Sequence, residues 1–514
     1  MKKFLRSFLI ILVTGIALYS CGKDDASKTE VVDPEEEKTV PSIKNISPSE
    51  GIIGLDIIIS GDNLGSDKND ISISFNGIVT TDVVFDESGN IIVTVPQGAK
   101  DGDLILTVNG ESSEPVYFNI LPSITDFNPK EAKEGDQITI SGTSFGNDTD
   151  VVGIMFGGNI EADYITINDN GDIVVVVPPG AQKGIITVTI DEESAMSEKV
   201  LDIYRIYVAG TISLEGSSIA TLWTNGVEEQ LSEYPSVAHS VFVYGDDVYV
   251  SGFIKKNNTE AIATVWKNGE VYMELTNGLL GAIAFSVYVA NGNVYAAGVG
   301  FNNDYTSYVP KIWKNGEEVF IGNINLGIAR SVFVDGDDFY VCGEEIADGE
   351  ENVLYWKNGE RYILESFLLD VNKNYTASSI YVKDGIVHVV GVSGYFVANS
   401  WTADTDGGNI TSTILVEDEE LYSSARSVFV DGDNVYIAGR YGKKAVVWKN
   451  GIIMEMPSNP YPNVISDAES VFLYKGDTYV AGGDGGNISL WVNYSQILLP
   501  SVGDASYARS VFVY

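Results

Sequence analysis

Residues 329–359 read ARSVFVDGDDFYVCGEEIADGEENVLYWKNG, and three phrases in this stretch decide the fold. They are Ala-x-Ser-Val/Ile-Phe/Tyr-Val/Leu, an aromatic residue followed by x-x-Gly, and a tryptophan that Lys-Asn-Gly usually follows. Each phrase recurs seven times after about residue 204. The first begins at Ala238, Ala284, Ala329, Ala377, Ala425, Ala468 and Ala508. The second begins at Tyr207, Tyr249, Tyr295, Tyr340, His388, Tyr436 and Tyr479. The tryptophans are Trp223, Trp266, Trp313, Trp356, Trp401, Trp448 and Trp491, spaced 43–47 residues apart.

Each repeat reads as four short strands. In the quoted unit we expect them at Ser331–Val334, Phe339–Gly343, Val353–Trp356 and near Arg361–Leu364. Asn358-Gly359 is a two-residue hairpin signal between the last two strands. Four strands in a unit of 40–50 residues are typical of a β-propeller blade. The count predicts seven blades, with six as the alternative if one unit is degenerate, and the unit around Trp401 is the weakest.

The order of the phrases predicts how the ring closes. The repeat region opens on the second phrase, at Tyr207, and ends on the first, at Ala508–Tyr514. We expect these two segments to pair, which removes both exposed sheet edges. The predicted propeller covers 204–514.

Two copies of another pattern precede the propeller. Pro41-Ser42-Ile43, Gly54, Gly61 and Val95-Pro96-Gln97-Gly98-Ala99 return 81–82 residues later, as Pro122-Ser123-Ile124, Gly135, Gly142 and Val177-Pro178-Pro179-Gly180-Ala181. Alternating β-branched runs between Gly and Pro turns predict antiparallel strands in compact sandwiches. The residues resemble the IPT/TIG family, which implies two immunoglobulin-like domains, at 41–122 and 123–203. In an all-β chain of this kind such domains are expected to act as spacers.

The N-terminal residues are typical of an exported lipoprotein. Lys2, Lys3 and Arg6 precede an apolar run from Phe8 to Leu18, which is the length of a secretory signal and too short for a comfortable bilayer span. The run ends at Leu18-Tyr19-Ser20-Cys21, which resembles a bacterial lipobox. The resemblance implies a signal peptide at 1–20 and lipidation (palmitate and diacylglycerol) at Cys21.

The residues after Cys21 predict a tether and a location. Gly22-Lys23-Asp24-Asp25 looks like the export signal of Bacteroidota surface lipoproteins, although it could also be an ordinary polar linker. The resemblance implies that the protein lies at the outer membrane, anchored by lipid and facing the cell exterior. Residues 21–40 are acidic and poor in large apolar side chains, so we expect a flexible tether.

Composition excludes several classes of function. The formal charge of −41 is expected to repel nucleic-acid phosphates. No second apolar run approaches 18 residues, and Cys342 has no partner once Cys21 is lipidated, so neither a membrane helix nor a disulfide is expected. The acidic turns, such as Gly432-Asp433-Asn434, lack the spacing of a calcium loop and favour hairpins. We expect a monomer without cofactor or metal.

Most chemically interesting residues occupy repeat positions. His388 stands where six other units have tyrosine, and Cys342 stands where the others have small residues such as Ala297 and Ala438. The tryptophans recur once per unit. A repeated position favours a repeated structural role, so we expect packing at all of them, with a sugar-stacking platform as the alternative for the tryptophans.

The position before the repeated serine varies instead. If the first phrase is the innermost strand, the residues there lie at one mouth of the channel: His239, Phe285, Arg330, Ser378, Arg426, Glu469 and Arg509. The charged members (His239, Arg330, Arg426, Glu469, Arg509) are expected to form a basic ring for carboxylate or phosphate groups, or to pair with loop acids such as Asp467 and Asp504. Loop aromatics beside them could stack on sugars or pack locally: Phe301, Tyr305, Tyr308, Tyr395 and Phe396.

Three functions remain open after this reading. The layout favours a surface protein that binds a glycan, as it resembles the surface glycan-binding lipoproteins of Bacteroidota. The second is an adhesin or assembly protein with a protein partner. The third is a propeller hydrolase or lyase of polysaccharides, which is disfavoured because no nucleophile elbow, histidine cluster or phosphate loop is present, so no catalytic residue is predicted.

Overall fold

The computed structural model describes residues 39–257, 260–302, 307–319, 324, 326–370, 373–416, 421–458, 464–502 and 506–514. The chain divides into two compact units, with the boundary between Leu121 and Pro122. Nearly all regular structure in the described ranges is β-strand, with two 3₁₀ turns at Lys68–Asp70 and Thr149–Val151. The all-β prediction is therefore confirmed.

The first unit is a sandwich of two sheets. One sheet contains, in order, Ser42–Ser47, Asp56–Asp62, Ile91–Thr94 and Val83–Phe85. The other contains Glu50–Gly51, Val116–Ile120, Gly102–Val108, Ile71–Phe75 and Ile78–Thr80, with Glu111–Ser112 beside Gly102–Val108. Alternate residues of each strand point inwards, so Ile57, Ile73 and Leu104 pack in one apolar core.

The second unit begins with a sandwich of the same design. Its first sheet contains Ser123–Asn128, Gln137–Thr143, Ile173–Val176 and Ile165–Ile167. Its second sheet contains Ile160–Glu161, Val152–Gly157, Gln182–Ile190 and Glu193–Met196, and a parallel pair joins Glu131–Ala132 to Asp202–Ile203. Its core repeats that of the first sandwich, with Ile138, Ile154 and Ile186 fully buried.

The remaining chain forms seven antiparallel four-stranded sheets, listed here from first (inner) to fourth (outer) strand. Blade 1 contains Ser506–Val513, Ile206–Leu214, Ser217–Thr224 and Val227–Gln230. Blade 2 contains Ser236–Tyr244, Asp247–Ile254, Ile262–Lys267 and Glu270–Glu274. Blade 3 contains Ala282–Ala290, Asn293–Phe301, Tyr308–Lys314 and Glu317–Glu318. Blade 4 contains Gly327–Asp335, Asp338–Ala347, Glu350–Lys357 and Glu360–Leu368. Blade 5 contains Thr376–Lys383, Ile386–Ser393, Val397–Asp404 and Thr411–Ile414. Blade 6 contains Ser423–Asp431, Asn434–Tyr441, Lys444–Lys449 and Ile452–Glu455. Blade 7 contains Ser466–Tyr474, Asp477–Asp484, Asn487–Val492 and Ser495–Leu498.

The inner strands contact one another in a closed ring, so the seven sheets form a seven-bladed propeller and the six-bladed alternative is wrong. The ring closes as predicted, because Ser506–Val513 pairs with Ile206–Leu214. Two backbone hydrogen bonds between Arg205 and Tyr514 extend this pairing.

The repeated tryptophans form the core between blades. All seven are at most 1% exposed, and each lies on a third strand opposite an apolar residue of the second strand, as Trp356 lies opposite Val341. Trp223 of blade 1 packs with Tyr479 and Leu490 of blade 7, which shows that the contact crosses the blade boundary. The predicted packing role is confirmed.

The repeated asparagine of the Lys-Asn-Gly phrase shapes the turn between the third and fourth strands. Asn358 has a φ of 51°, a left-handed conformation that asparagine tolerates well. Its side-chain oxygen also accepts a hydrogen bond from the backbone N–H of Phe339, at 3.0 Å. Asn225, Asn268, Asn315, Asn450 and Asn493 make the corresponding bond in their blades.

Candidate functional site

Every inner strand contains a β-bulge, and the bulged residue is the varied residue of the first phrase. The pairing of the first and second strands of blade 2 skips from Ala238 to Ser240, which leaves His239 unpaired. The same shift leaves Phe285, Arg330, Ser378, Arg426, Glu469 and Arg509 unpaired in the other blades. A bulge turns its side chain out of the regular alternation, so seven side chains of five residue types are presented near one mouth of the channel.

The bulges lie towards the face that we call the upper face. Inner strands begin there, and the turns between second and third strands lie there too. The lower face carries the turns between first and second strands, and it contacts the second sandwich domain. In that contact Lys475 pairs with Glu131 and, at 2.6 Å, with Asp202, while the rings of Tyr204 and Tyr474 lie 6.0 Å apart. The upper face therefore points away from the second sandwich.

A ring of seven aromatic side chains lies below the bulges. We call it the aromatic layer, and its members stand three residues after the bulged ones: Phe242, Tyr288, Phe333, Tyr381, Phe429, Phe472 and Phe512. Neighbouring ring centroids lie 4.2–5.1 Å apart around the whole circle. These rings constrict the channel, so the bulged residues above them line a cup that opens on the upper face.

The repeated serine connects neighbouring blades. Ser286 accepts a hydrogen bond from the backbone N–H of Val332 in the next blade, at 3.2 Å. The same bond is made by Ser331, Ser379, Ser427, Ser470 and Ser510 to the blade that follows each. The constant residue beside the bulge thus belongs to the scaffold, whereas the bulged residue does not take part in the strand pairing.

The seven bulged residues form the upper layer of the channel, and two groups of them are in contact. The rings of His239 and Phe285 lie 5.1 Å apart, and the guanidinium of Arg330 lies 5.9 Å from the Phe285 ring. Further round, Arg426 Nε lies 4.0 Å from Glu469. Burial, together with the nearby charge of Arg509, lowers the pKa of His239 to about 3. His239 keeps some accessible surface facing the channel, yet protein surrounds it and holds it neutral near pH 7.

Arg330 pairs with an acid, which is one of the two alternatives left open by the sequence, but its partner is neither Asp467 nor Asp504. Its Nε lies 3.0 Å, and its nearer terminal nitrogen 2.6 Å, from the carboxylate of Glu344, which is 7% exposed. Burial raises the pKa of Glu344 in spite of this partner. The pairing arises because Glu344 follows the aromatic-x-x-Gly phrase on the adjacent second strand, a neighbour that linear spacing did not reveal. Arg330 is therefore held by the scaffold, and the suggested loop acid Asp467 pairs with Arg440 instead.

The remaining charges gather where blades 6 and 7 meet. Arg440 lies 3.2 Å from Asp467, and burial raises the pKa of Glu469, which Arg426, Arg509 and Arg440 oppose. Sequence reasoning missed Arg440, although it occupies in blade 6 the position that Glu344 occupies in blade 4. Asp504, the other suggested partner, lies outside the described residues.

Two of the predicted loop aromatics lie on strands, and they show the local packing that was one of the two alternatives. Phe301 and Tyr308 lie at strand ends rather than in a loop, because the hairpin of blade 3 extends to them as cross-strand partners. Their ring centroids lie 4.5 Å apart, so they pack on each other, and Phe301 borders a cavity of about 500 Å³ together with Leu275 and Lys311. Tyr305 lies outside the described residues.

Tyr395 and Phe396 do form a turn on the upper face. Tyr395 is 59% exposed and lies 5.6 Å from Lys373, and Phe396 is 39% exposed and stacks on Tyr422 at 5.2 Å. The φ of Phe396 is 62°, a conformation that bulky side chains rarely adopt. A strained aromatic displayed at a turn is a feature often associated with ligand contact.

The other singled-out residues have the structural roles expected of repeat positions. Cys342 is fully buried, burial raises the pKa of its thiol, and its sulfur contacts the carbonyl of Ala377 at 3.8 Å. His388 is half-buried, and burial lowers its pKa. Cys21 lies outside the described residues. Within the described ranges, no group of His, Cys, Asp and Glu could hold a metal ion, and no helix has the length and apolarity to cross a membrane.

Several solved structures resemble the chain at low similarity. A protein of unknown function from Bacteroides thetaiotaomicron is 13% identical, with a TM-score of 0.34 over 77% of this chain and 99% of its own. An auxiliary nutrient binding protein from the same species is 11% identical, with a TM-score of 0.25 over 76% and 98%. A puromycin-hydrolyzing peptidase from Mycobacterium tuberculosis is 10% identical, with a TM-score of 0.38 over 55% and 49%. Such values carry no argument about function.

Comparison at the level of sequence is more specific for the sandwiches. No curated protein matches the chain. The model of the IPT/TIG domain matches residues 41–120 and 122–201, which are the two sandwiches described above. The resemblance noted from Pro41, Gly54 and Val95-Pro96-Gln97-Gly98-Ala99 is thus confirmed, and the chain contains two IPT/TIG domains in tandem.

Proposed function

We propose that this chain is a lipid-anchored cell-surface protein that binds a glycan on the upper face of its propeller. The observation that carries the proposal is the set of seven bulges. They place unlike side chains over a constant scaffold, which is how repeat folds generate a specific binding surface. Exposed aromatics at the same face, above all Tyr395 and Phe396, supply flat apolar surfaces of the kind that stack on sugar rings.

The rest of the chain is consistent with this role. The lipobox-like residues ending at Cys21 would attach the protein to the outer membrane, facing outwards, with 21–40 as tether. The two IPT/TIG domains would act as spacers. Because the second IPT/TIG domain contacts the lower face, it leaves the cup on the upper face uncovered. We do not assign catalysis to the cup.

A protein partner is the second candidate. The outer strands of several blades expose apolar side chains, including Ile452 (71%), Leu498 (59%) and Val271 (46%). An adhesin or assembly protein could use such edges, which are distant from the cup. Binding of an outer-membrane protein through these edges, with no saccharide bound, would favour this candidate.

The test uses the purified full-length chain against an array of polysaccharides and oligosaccharides, followed by calorimetry on each hit. Phe396→Asn removes the ring but accepts the same φ, so the turn is retained. We expect affinity to fall about two- to ten-fold, since a stacked aromatic contributes about 0.5–1.5 kcal/mol. Tyr164→Asn, which removes a 77% exposed aromatic from the second IPT/TIG domain, is the matched control and should change nothing. Silence across the array, or equal losses in both variants, would refute the proposal.

A further inference from the structure

Charged residues are concentrated in one sector of the upper layer and on the strand positions beside it. This arginine sector consists of Arg426, Arg440 and Arg509 with Asp467 and Glu469, all from blades 6, 7 and 1. Arg440 and Asp467 form one pair at 3.2 Å, and Arg426 lies 4.0 Å from Glu469. Arg509 is exposed, and the part of the chain that the structure describes offers it no ion-pair partner.

The charges in this sector do not cancel. Three guanidiniums face two carboxylates, which leaves a net charge of one positive unit. Burial raises the pKa of Glu469, and the nearby guanidiniums of Arg426, Arg509 and Arg440 oppose that shift. His239 lies beside Arg509 and stays neutral, so it adds no positive charge. The sector therefore suits a ligand with one negative charge.

The hydrogen-bonding capacity of the sector is also incomplete. The Nε atoms of Arg426 and Arg440 are buried without a hydrogen-bond partner in the described structure. The hydroxyl of Ser424, the cross-strand neighbour of Arg440, also lacks a hydrogen bond, and so does one carboxylate oxygen of Asp467. Buried polar groups are normally hydrogen-bonded, so an arrangement with four such atoms in one place is typical of a site completed by a ligand or by the water that a ligand organises.

An aromatic platform adjoins the arginines. The guanidinium of Arg440 lies 3.9 Å from the centroid of the Tyr422 ring, and Phe396 stacks on that ring at 5.2 Å. The platform and the arginines thus share Arg440. A sugar ring lying on Phe396 would place a substituent within reach of the arginine sector.

We propose that the arginine sector binds the carboxylate of a uronic acid residue in an otherwise neutral glycan, an inference that rests on the proposed function. Guanidinium groups match a planar carboxylate with two parallel hydrogen bonds. A single net positive charge favours a monoanion over a dianionic phosphate. The formal charge of −41 on the whole chain opposes long polyuronates, so the acid is one residue or a chain end.

The experiment measures binding of the full-length chain to oligosaccharides that carry one terminal glucuronate or galacturonate. Each probe is paired with its carboxyl-reduced counterpart, in which a CH₂OH group replaces the carboxylate. We expect wild-type protein to prefer the acid form about ten-fold or more, as charge-assisted hydrogen bonds do. Arg509→Gln and Arg426→Gln should each reduce this preference to less than about three-fold. Binding of the reduced form should hardly change.

Lys444→Gln is the matched control. It removes one positive charge from the same region of blade 6, but from an exposed pair with Glu455, and should keep the preference. Thermal unfolding of each variant shows whether it folds, and Arg509, being exposed, is the safer of the two substitutions. Equal binding of acid and reduced forms by wild-type protein overturns the inference and leaves the proposed function standing. An acid preference that survives both arginine variants also overturns it, and no binding of any saccharide overturns both.

Discussion

The aromatic layer and the upper layer of the channel lie on the same seven strands, only three residues apart, yet they differ in kind. The aromatic layer is uniform, because its rings touch their neighbours around a closed circle and each must fit the next. The upper layer holds a histidine, a phenylalanine, a serine, a glutamate and three arginines. Bulged residues are left out of the strand ladder, so their identity is not fixed by pairing. In this propeller, constancy marks the scaffold and variation marks the positions available for recognition.

Arg330 is an exception to this division, because it is a bulged residue that the scaffold holds. Its substitution has the largest expected effect on stability. Arg330→Ala leaves the buried carboxylate of Glu344 without its partner, which should lower the free energy of unfolding by about 3–5 kcal/mol. Proton uptake by Glu344, whose pKa is already raised, would reduce that loss. Urea unfolding at pH 7 measures it. The double variant Arg330→Met with Glu344→Leu should regain most of the stability, and a loss below about 1 kcal/mol in Arg330→Ala would show that the pair is not part of the scaffold.

Substitution in the aromatic layer tests the other side of the comparison. Phe429 contacts the rings of both Tyr381 and Phe472, so Phe429→Ala opens the circle. We expect a loss of about 2–3 kcal/mol, somewhat below that of a fully buried phenylalanine. Ser378→Ala in the upper layer is the control and should change stability by less than about 0.5 kcal/mol. Stability is measured by denaturant unfolding, and equal shifts of the midpoint in the two variants would contradict the division into layers.

The smallest effect concerns pH. The folded-state pKa of His239 lies at about 3, below its ordinary value of 6.5, so the unfolded chain binds this proton first as the pH falls. His239 therefore destabilises the fold progressively between about pH 6.5 and pH 3, by at most about 1.4 kcal/mol per pH unit. Guanidinium unfolding of wild type and His239→Gln at pH 7 and pH 5 isolates this contribution. Glu344 and Glu469 have raised pKa values and act in the opposite sense in both proteins. The informative quantity is therefore the difference between the two proteins in how their free energy of unfolding changes with pH. The same pH dependence of the free energy of unfolding in both proteins would show that the histidine is not held neutral.

Much of the fold could be predicted because alignment of the repeats shows which positions are constant. The tryptophans and the Asn-Gly turns recur at fixed places in the repeats, and the order of the phrases reveals the split first blade. The structure confirms all three predictions. The unit around Trp401, which matches the repeat least well, is a full blade in the structure, because its third strand continues to Asp404. The bulges were not predicted, because one extra residue in a strand leaves no mark in linear spacing.

The candidate site was harder to predict for a physical reason. The varied position could be found by aligning the repeats, but the partners of its charges lie on other strands and other blades. Glu344 reaches Arg330 through strand register, and Asp467 reaches Arg440 across a blade boundary. Loop aromatics such as Phe301 changed role because the hairpin of blade 3 was longer than its turn signals suggested.

The pairing of Ser506–Val513 with Ile206–Leu214 also governs the order in which the molecule can be completed. Blade 1 draws its inner strand from a segment some 300 residues downstream, a far greater separation than any other strand pair in the propeller requires. A chain that emerges progressively, from a ribosome or through a pore, can assemble blades 2 to 7 from local hairpins but must wait for this last strand to finish the circle. Such non-local contacts form slowly, since the entropy of closing a long loop is lost before the contact stabilises anything. Closure of the ring by this strand is therefore expected to be the last step in folding of the propeller.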